Sequence, residues 1–181
     1  MIHTEDIMTR KWIFVFIMGV ILASGVFSSA GQEKDIIFQL KNKIIDIQNE
    51  GKLGFRNFTA CSNIVTYGSY VPLSKPEVKT GSRFFIYYEP ENIFTNRVQG
   101  NYEIWYTQDM IVLDAVGRVL LNKEGALNFR HSGRAPIFDL YATNSLNVGK
   151  LPPGMYVFRA ILHDKLKKST AQKDFSFKIV K

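Results

Sequence analysis

The sequence predicts an all-β fold, an antiparallel β-sandwich of about seven to eight strands, on three observations. From Phe55 onward helical periodicity disappears, and short runs of β-branched and aromatic residues are separated by Gly, Pro, Asn and Ser clusters. Two runs alternate strictly. Tyr156, Phe158, Ala160 and Leu162 share a face opposite Arg159 and His163, and Phe175, Phe177 and Ile179 alternate with Asp174, Ser176 and Lys178. One apolar and one polar face marks an antiparallel strand covering a core on one side. The third observation is composition. A chain of 181 residues, 46% hydrophobic and 22% charged, can bury a core without staples. Its single cysteine, Cys61, excludes an intrachain disulfide and the four-cysteine or two-cysteine, two-histidine zinc sites. Three dispersed histidines, His3, His131 and His163, leave little material for histidine-based metal or triad chemistry.

The chain opens with a targeting pattern. Trp12 to Phe27 is a nearly unbroken apolar run, preceded by Arg10-Lys11 and followed by Ser28-Ser29-Ala30. Basic flank, apolar run and small residues are the three parts of a secretory signal peptide, with cleavage expected after Ala30. As a helix the run spans about 24 Å, short of the roughly 30 Å of a bilayer core; left uncleaved, it would be a membrane anchor. Glu5 and Asp6 are unwelcome in such a segment, which makes Met8 the better start. Removing residues 1–30 takes away two basic and two acidic residues, so the net charge of +7 is unchanged. That charge serves solubility or favours anionic partners.

Residues 31–57 are read as an amphipathic helix and linker. Between Lys34 and Glu50, Ile37, Leu40, Ile44 and Ile47 fall on one helical face, with Lys41, Lys43, Asp46 and Glu50 opposite. Asp35 can cap the start and Gly51 the end. The stripe calls for protein cover, either the chain's own sandwich or a partner. Residues 58–181 form the sandwich. Its expected strands are Ala60–Tyr70, Arg83–Glu89, Tyr102–Thr107, Met110–Asp114, Val119–Leu121, Ile137–Ala142, Met155–Asp164 and Asp174–Val180. Turns are expected at 79–82, 114–117 and 152–154.

Three stretches carry a resemblance. The first is Tyr67-Gly68-Ser69-Tyr70, followed by Thr80-Gly81 and Phe85-Ile86-Tyr87-Tyr88-Glu89-Pro90-Glu91-Asn92. The second is Leu113-Asp114-Ala115-Val116-Gly117-Arg118-Val119. The third runs from Leu151-Pro152-Pro153-Gly154-Met155-Tyr156 to Asp164, with Phe175-Ser176-Phe177 closing. Residues 58–180 resemble exported bacterial proteins with an immunoglobulin-like sandwich, and are similar to the sandwich domain of GWxTD-type proteins, although no GWxTD stretch occurs. The resemblance implies a non-catalytic envelope module and carries over no chemistry. The motifs also have structural readings: Gly117 suits the positive φ of a tight turn, and Pro153 sets φ ahead of Gly154.

Candidate chemistry is sparse. Cys61 in a strand reads as a small buried hydrophobe, or as a thiol for an intermolecular pair. Glu77, Glu89, Glu91, Asp109 and Asp114 lie near expected strand ends without the dense oxygen ligands of a calcium loop. No G-x-S-x-G or Walker motif is present. Lys165, Lys167, Lys168 and Lys173 are expected in a hairpin loop, and Arg130, His131 and Arg134 in a second basic loop. Trp105 shares a strand face with Glu103 and Thr107, and Tyr87 shares one with Arg83 and Glu89. Either these aromatics are exposed and suit sugar or protein contacts, or the helix covers them.

The expected function is therefore a non-catalytic, exported binding module of the bacterial envelope, periplasmic or extracellular, without cofactor or metal. Its binding residues would be Trp105, Tyr87, Lys165, Lys167 and Lys168, and its partner an envelope protein or glycan. Nucleic acid is not expected, and membrane association would be transient, through the signal segment. The alternatives are an envelope-polymer hydrolase using strand-end carboxylates, or a membrane-tethered structural protein.

Overall fold

The structure, a computed structural model, describes residues 29–149 and 151–181. The expected signal peptide thus lies outside the described residues except for its last two positions. Among the described residues the chain is mostly β, with one helix, α1 (Ser29–Glu50), and ten strands: β1 (Gly54–Thr66), β2 (Ser69–Pro72), β3 (Glu77–Lys79), β4 (Arg83–Glu91), β5 (Asn96–Val98), β6 (Asn101–Asp114), β7 (Val119–Gly133), β8 (Ala142–Asn147), β9 (Gly154–Asp164) and β10 (Ser169–Val180). A boundary between two units falls within α1, after Lys43. No helix among the described residues is long and apolar enough to cross a membrane.

In the first unit α1 carries Ile36, Ile37, Phe38 and Leu40, all exposed. In the second, Ile44 and Ile47 are exposed as well, and the buried residue is Ile45. Within the second unit, Ile44 and Ile47 of the expected docking stripe are therefore not on the buried face. The reason is polar. Asn49 makes a reciprocal pair with Thr95, donating to its carbonyl (3.0 Å) and accepting from its N–H (2.8 Å). Asp46 pairs with Arg97. These contacts turn the last two helical turns so that Ile45, not Ile44, meets the domain. The helix also starts at Ser29, upstream of the expected cap Asp35. Gly51 does end it, its N–H shared between the Ile47 and Gln48 carbonyls (both 3.1 Å), and a side chain there would strike Asn92 at 2.5 Å.

The strands form two sheets. The smaller has the order β2-β1-β4-β8; the larger has the order β3-β10-β9-β6-β5, with β7 also on β6. All pairings are antiparallel except β3 with β10. The sheets face each other across a shared core. Phe84, Ile86 and Tyr88 of β4 lie opposite Ile104 and Tyr106 of β6, Phe158 of β9 and Phe177 of β10. Phe84 and Phe177 approach to 5.1 Å between ring centroids. The inward set of β9 is buried as the alternation demands, as are Phe177 and Ile179 of β10.

Several boundaries differ from the sequence reading. The first strand starts at Gly54 rather than Ala60, because Phe55 and Phe58 pack on Tyr88, and the expected Ala60–Tyr70 strand breaks after Thr66 into β1 and β2 at a turn with Gly68 at φ 66°. The two segments 102–107 and 110–114 are one strand: Gln108 continues the inward alternation and is fully buried, Asp109 keeps its register with Ile161 of β9, and the register shift after Gln108 places the extra residues on β7, between Lys123 and Leu127. β7 runs to Gly133, so Arg130 and His131 sit in a strand and not in a loop. Likewise Lys173 belongs to β10. The strand expected at 137–142 begins only at Ala142. The 114–117 turn is as expected, with Gly117 at φ 83° and its N–H on the Asp114 carbonyl.

Candidate functional site

The outer face of the larger sheet gathers the polar residues left over when the other face is buried. Along β6 these are Glu103, Trp105, Thr107 and Asp109, alternating with buried Tyr102, Ile104, Tyr106 and Gln108. Trp105 is half-buried. Register places Arg130 directly opposite it on β7, with the guanidinium carbon 5.0 Å from the ring centroid, and the indole N–H donates to Asn128 Oδ1 at 3.1 Å. The ring is thus held by a cation–π contact and a hydrogen bond. The contacts on Trp105 thus come from Arg130 and Asn128 of β7, where a covering helix was one expectation.

On the other side of β6 lies β9. Thr107 is opposite His163, and His163 Nε2 lies 2.7 Å from Asp109 Oδ2, while its Nδ1 is 3.3 Å from Thr170 Oγ1. Asp109 Oδ1 also accepts the Gly125 N–H at 2.8 Å. Burial alone would raise the Asp109 carboxyl; the bonds from Gly125 and His163, with the nearby Lys165 charge, outweigh it and hold it below the usual aspartate range.

The basic turn between β9 and β10 is built by Asp164. This carboxylate is 1% exposed and accepts the N–H groups of Leu166 (2.9 Å), Lys167 (2.8 Å) and Phe94 (2.7 Å). An aspartate bonding the backbone two and three residues on is the mechanism of an Asx turn. Its geometry separates the three lysines. Lys165 donates its backbone N–H to the Trp105 carbonyl at 2.9 Å, and Lys165 and Lys168 line a small cavity of about 230 Å³ with His163 and Thr170. Lys167 points away: its ammonium caps α1, bonding the Asn49 and Gly51 carbonyls. The structure therefore brings Trp105, Lys165 and Lys168 to one region and removes Lys167 to a structural role.

Tyr87 is also elsewhere, on the outer face of the smaller sheet, and is corrected from exposed to fully buried. Tyr70 stacks on it at 4.2 Å and Tyr141 at 6.0 Å, so β2 and the segment before β8 supply its cover. Its hydroxyl accepts the Gly68 N–H and donates to Glu89 Oε1, each at 2.8 Å. Burial and the neighbouring Glu89 push the phenol up to about 12. Glu89 is 2% exposed and meets Arg56 at 2.8 Å. Burial would raise this carboxyl too, but bonds from Asn57, Arg56 and Tyr87 bring it below the ordinary glutamate value. Cys61 is buried and free on β1, its thiol pushed up by burial.

Of the remaining acidic candidates, Asp114 accepts Arg118 and two turn N–H groups; Asp174, outside that set, takes Arg159 bidentately at 2.8 Å. A cleft of about 520 Å³ has no ionisable side chain in its lining. Among the described residues no group of three His, Cys, Asp or Glu side chains is placed to hold a metal. Asn128, missed in the sequence, and Arg130, read as a loop residue, become visible only once β7 is extended to Gly133; alternation through Leu127 and Phe129 is the signal that would have found them.

No protein-family model matches the chain, and no curated protein matches it. Among solved structures, an alkylpurine DNA glycosylase from Pseudomonas fluorescens, bound to DNA containing an abasic site analog, is similar over 79% of this chain and 35% of its own, at 7% identity and a TM-score of 0.41. A family 123 glycoside hydrolase from Clostridium perfringens matches 72% of this chain and 27% of its own, at 10% identity and a TM-score of 0.41. A β-glucosidase from Listeria innocua matches 71% and 16%, at 12% identity and a TM-score of 0.35. The chain spans about a third or less of the length of these proteins, and the likeness assigns it no activity.

Proposed function

We propose that this chain is a non-catalytic binding module with an immunoglobulin-like sandwich, exported to the bacterial envelope, that contacts a glycan or protein surface through the outer face of its larger sheet. The observation that carries the reading is the set of groups around Trp105: an indole fixed by Arg130 and Asn128, flanked by the Lys165–Lys168 turn and by the hydroxyls of Thr107 and Thr170. A half-buried indole with Arg130 over one face can offer the other to the C–H side of a sugar or an aliphatic side chain. The neighbouring lysines favour an anionic partner. The two facing sheets, antiparallel except for β3 on β10, support the immunoglobulin-like reading, as does the resemblance over residues 58–180. The carboxylates favour binding over hydrolysis, because Glu89, Asp114 and Asp174 are each paired with an arginine and Asp109 is bonded to His163, rather than gathered at a cleft.

The test is titration of the full chain with acidic and neutral polysaccharides, followed by calorimetry so that the signal does not depend on Trp105. Binding to an acidic polymer that Trp105→Ala removes, and that Lys165→Glu with Lys168→Glu weakens, supports the reading. Binding that survives Trp105→Ala refutes this face as the site. Fractionation of the source cell tests export: recovery from the cytosol refutes it, and retention in the membrane selects the tethered form.

A further inference from the structure

The sandwich is open along one side. β8 pairs only with β4, and β7 only with β6, so each is the edge of its sheet. The cleft of about 520 Å³ is bounded by these two edges and floored by Met110, Val112, Val148 and Phe177. That volume lies within the range of about 300–1,000 Å³ common to ligand sites. The β7 side of the mouth is formed by Leu120 and Leu121, which remain 44% and 42% exposed. Two leucines beside a recess in the core are an apolar surface with no cover of their own.

The mouth has a polar end. Leu121 lies opposite Val112 and Lys123 opposite Met110, and directly opposed residues share a face. Lys123 therefore stands on the cleft side of β7, two residues beyond Leu121. Across from it β8 contributes Ser145 to the rim. Next to Ser145, Asn144 is 7% exposed; its Oδ1 accepts from Gln108, and its Nδ2 has no acceptor among the described residues. A buried unpaired donor is costly unless something accepts from it. Lys123, opposite Met110, and Asn144, bonded to Gln108 two residues before Met110, thus stand just beyond the lining at its Met110 end, and the lining itself is apolar apart from Ser145 and Asn147, the latter committed to the Gly149 N–H.

We propose that this cleft binds a single-chain anionic amphiphile, with its alkyl chain along Met110, Val112, Leu121, Val148 and Phe177 and its carboxylate or phosphate at Lys123 and Asn144. At about 30 Å³ per water-sized group, the cleft holds about seventeen such groups, which matches a chain of about twelve to sixteen carbons and its head. The surface around Trp105 lies on the outer side of the same sheet, so the two sites are independent.

The experiment titrates the full chain with 11-(dansylamino)undecanoic acid and competes the probe with saturated carboxylates of eight to sixteen carbons, with dodecanol and with lysophosphatidylglycerol. Saturable one-to-one uptake is expected, with affinity rising about fourfold per methylene. Lys123→Glu should weaken the carboxylates at least about tenfold and leave dodecanol unchanged. Leu121→Glu, or Leu120→Gln where the former does not fold, should abolish uptake with the thermal transition retained. Stronger competition by lysophosphatidylglycerol than by the matched carboxylate identifies a lipid as the source of the head; the reverse identifies a free fatty acid. The proposal is overturned by absent saturation, by no dependence on chain length, by carboxylates indifferent to Lys123→Glu, or by sedimentation showing a second copy seated on the cleft.

Discussion

Gln108 is the most informative residue to perturb. It is fully buried in an apolar core and stands in the middle of a one-way relay: the Tyr88 hydroxyl donates to its Oε1, and its Nε2 donates to Asn144 Oδ1 at 2.7 Å. Burial pushes the Tyr88 phenol far up, so it is a donor at every working pH. Gln108→Leu is nearly isosteric but strands two groups, the Tyr88 hydroxyl and the Asn144 carbonyl oxygen. At about 1–3 kcal/mol for each orphaned group, the substitution should cost about 2–6 kcal/mol. Tyr88→Phe alone strands only Gln108 Oε1 and should cost about 1–3 kcal/mol. The pair together removes the first bond entirely, so the double variant should be more stable than the sum of the singles predicts, by about 1–2 kcal/mol. Urea unfolding followed by intrinsic fluorescence supplies all four corners of the cycle. A cost for Gln108→Leu below about 1 kcal/mol, or strict additivity, would refute the relay as a coupled unit.

Three further outcomes are expected. Phe158→Ala should lower unfolding free energy by about 3–5 kcal/mol, since the side chain is fully buried between the sheets, and a loss under about 1 kcal/mol in the same urea assay would contradict its inward facing. Glu89→Gln should lower stability at pH 7 and flatten its acid limb. The native carboxyl titrates below the ordinary glutamate value of about 4.3, so its contribution is full above that value and is lost as pH falls through the native one; urea midpoints at pH 7 and pH 3 check the sign. Lys167→Met should cost about 0.3–1 kcal/mol by uncapping the Asn49 and Gly51 carbonyls, read as a small drop in thermal midpoint with no change in polysaccharide binding.

The parts of the fold legible in the sequence are those where period-two alternation is unbroken. β9 and β10 state their inward faces residue by residue, and the aspartate and glycine of the 114–117 turn announce its type. Legibility failed where polar residues sit in strands. Gln108 looks like a break between strands because a buried glutamine is tolerable only when Tyr88 and Asn144 are at hand, and those partners are 20 and 36 residues away. Lys123, Glu124 and Gly125 of β7 look like a loop because an exposed edge strand carries the residues that loops carry. The helix failed differently. Its apolar stripe was plain, but Asn49 and Asp46, through Thr95 and Arg97, decide which side faces inward, and a hydrophobic pattern contains no such information. Trp105 was legible as a candidate; the distinction among Lys165, Lys167 and Lys168 was not, because it depends on how the Asp164 carboxylate folds the turn.

The parallel pairing of β3 with β10 fixes when this domain can be finished. Thr80 donates both its N–H and its hydroxyl to the Val180 carbonyl, joining positions a hundred residues apart, and β10 lies between β3 and β9 within the larger sheet. On a ribosome adding about 5–20 residues per second, β3 waits about 5–20 s for its partner. During that interval the core also lacks Phe177 and Ile179, and the long loop between β3 and β10 must be closed before the contacts that reward closure exist. The domain therefore stays open until β10 has been made, and closes only when that strand slots between β3 and β9.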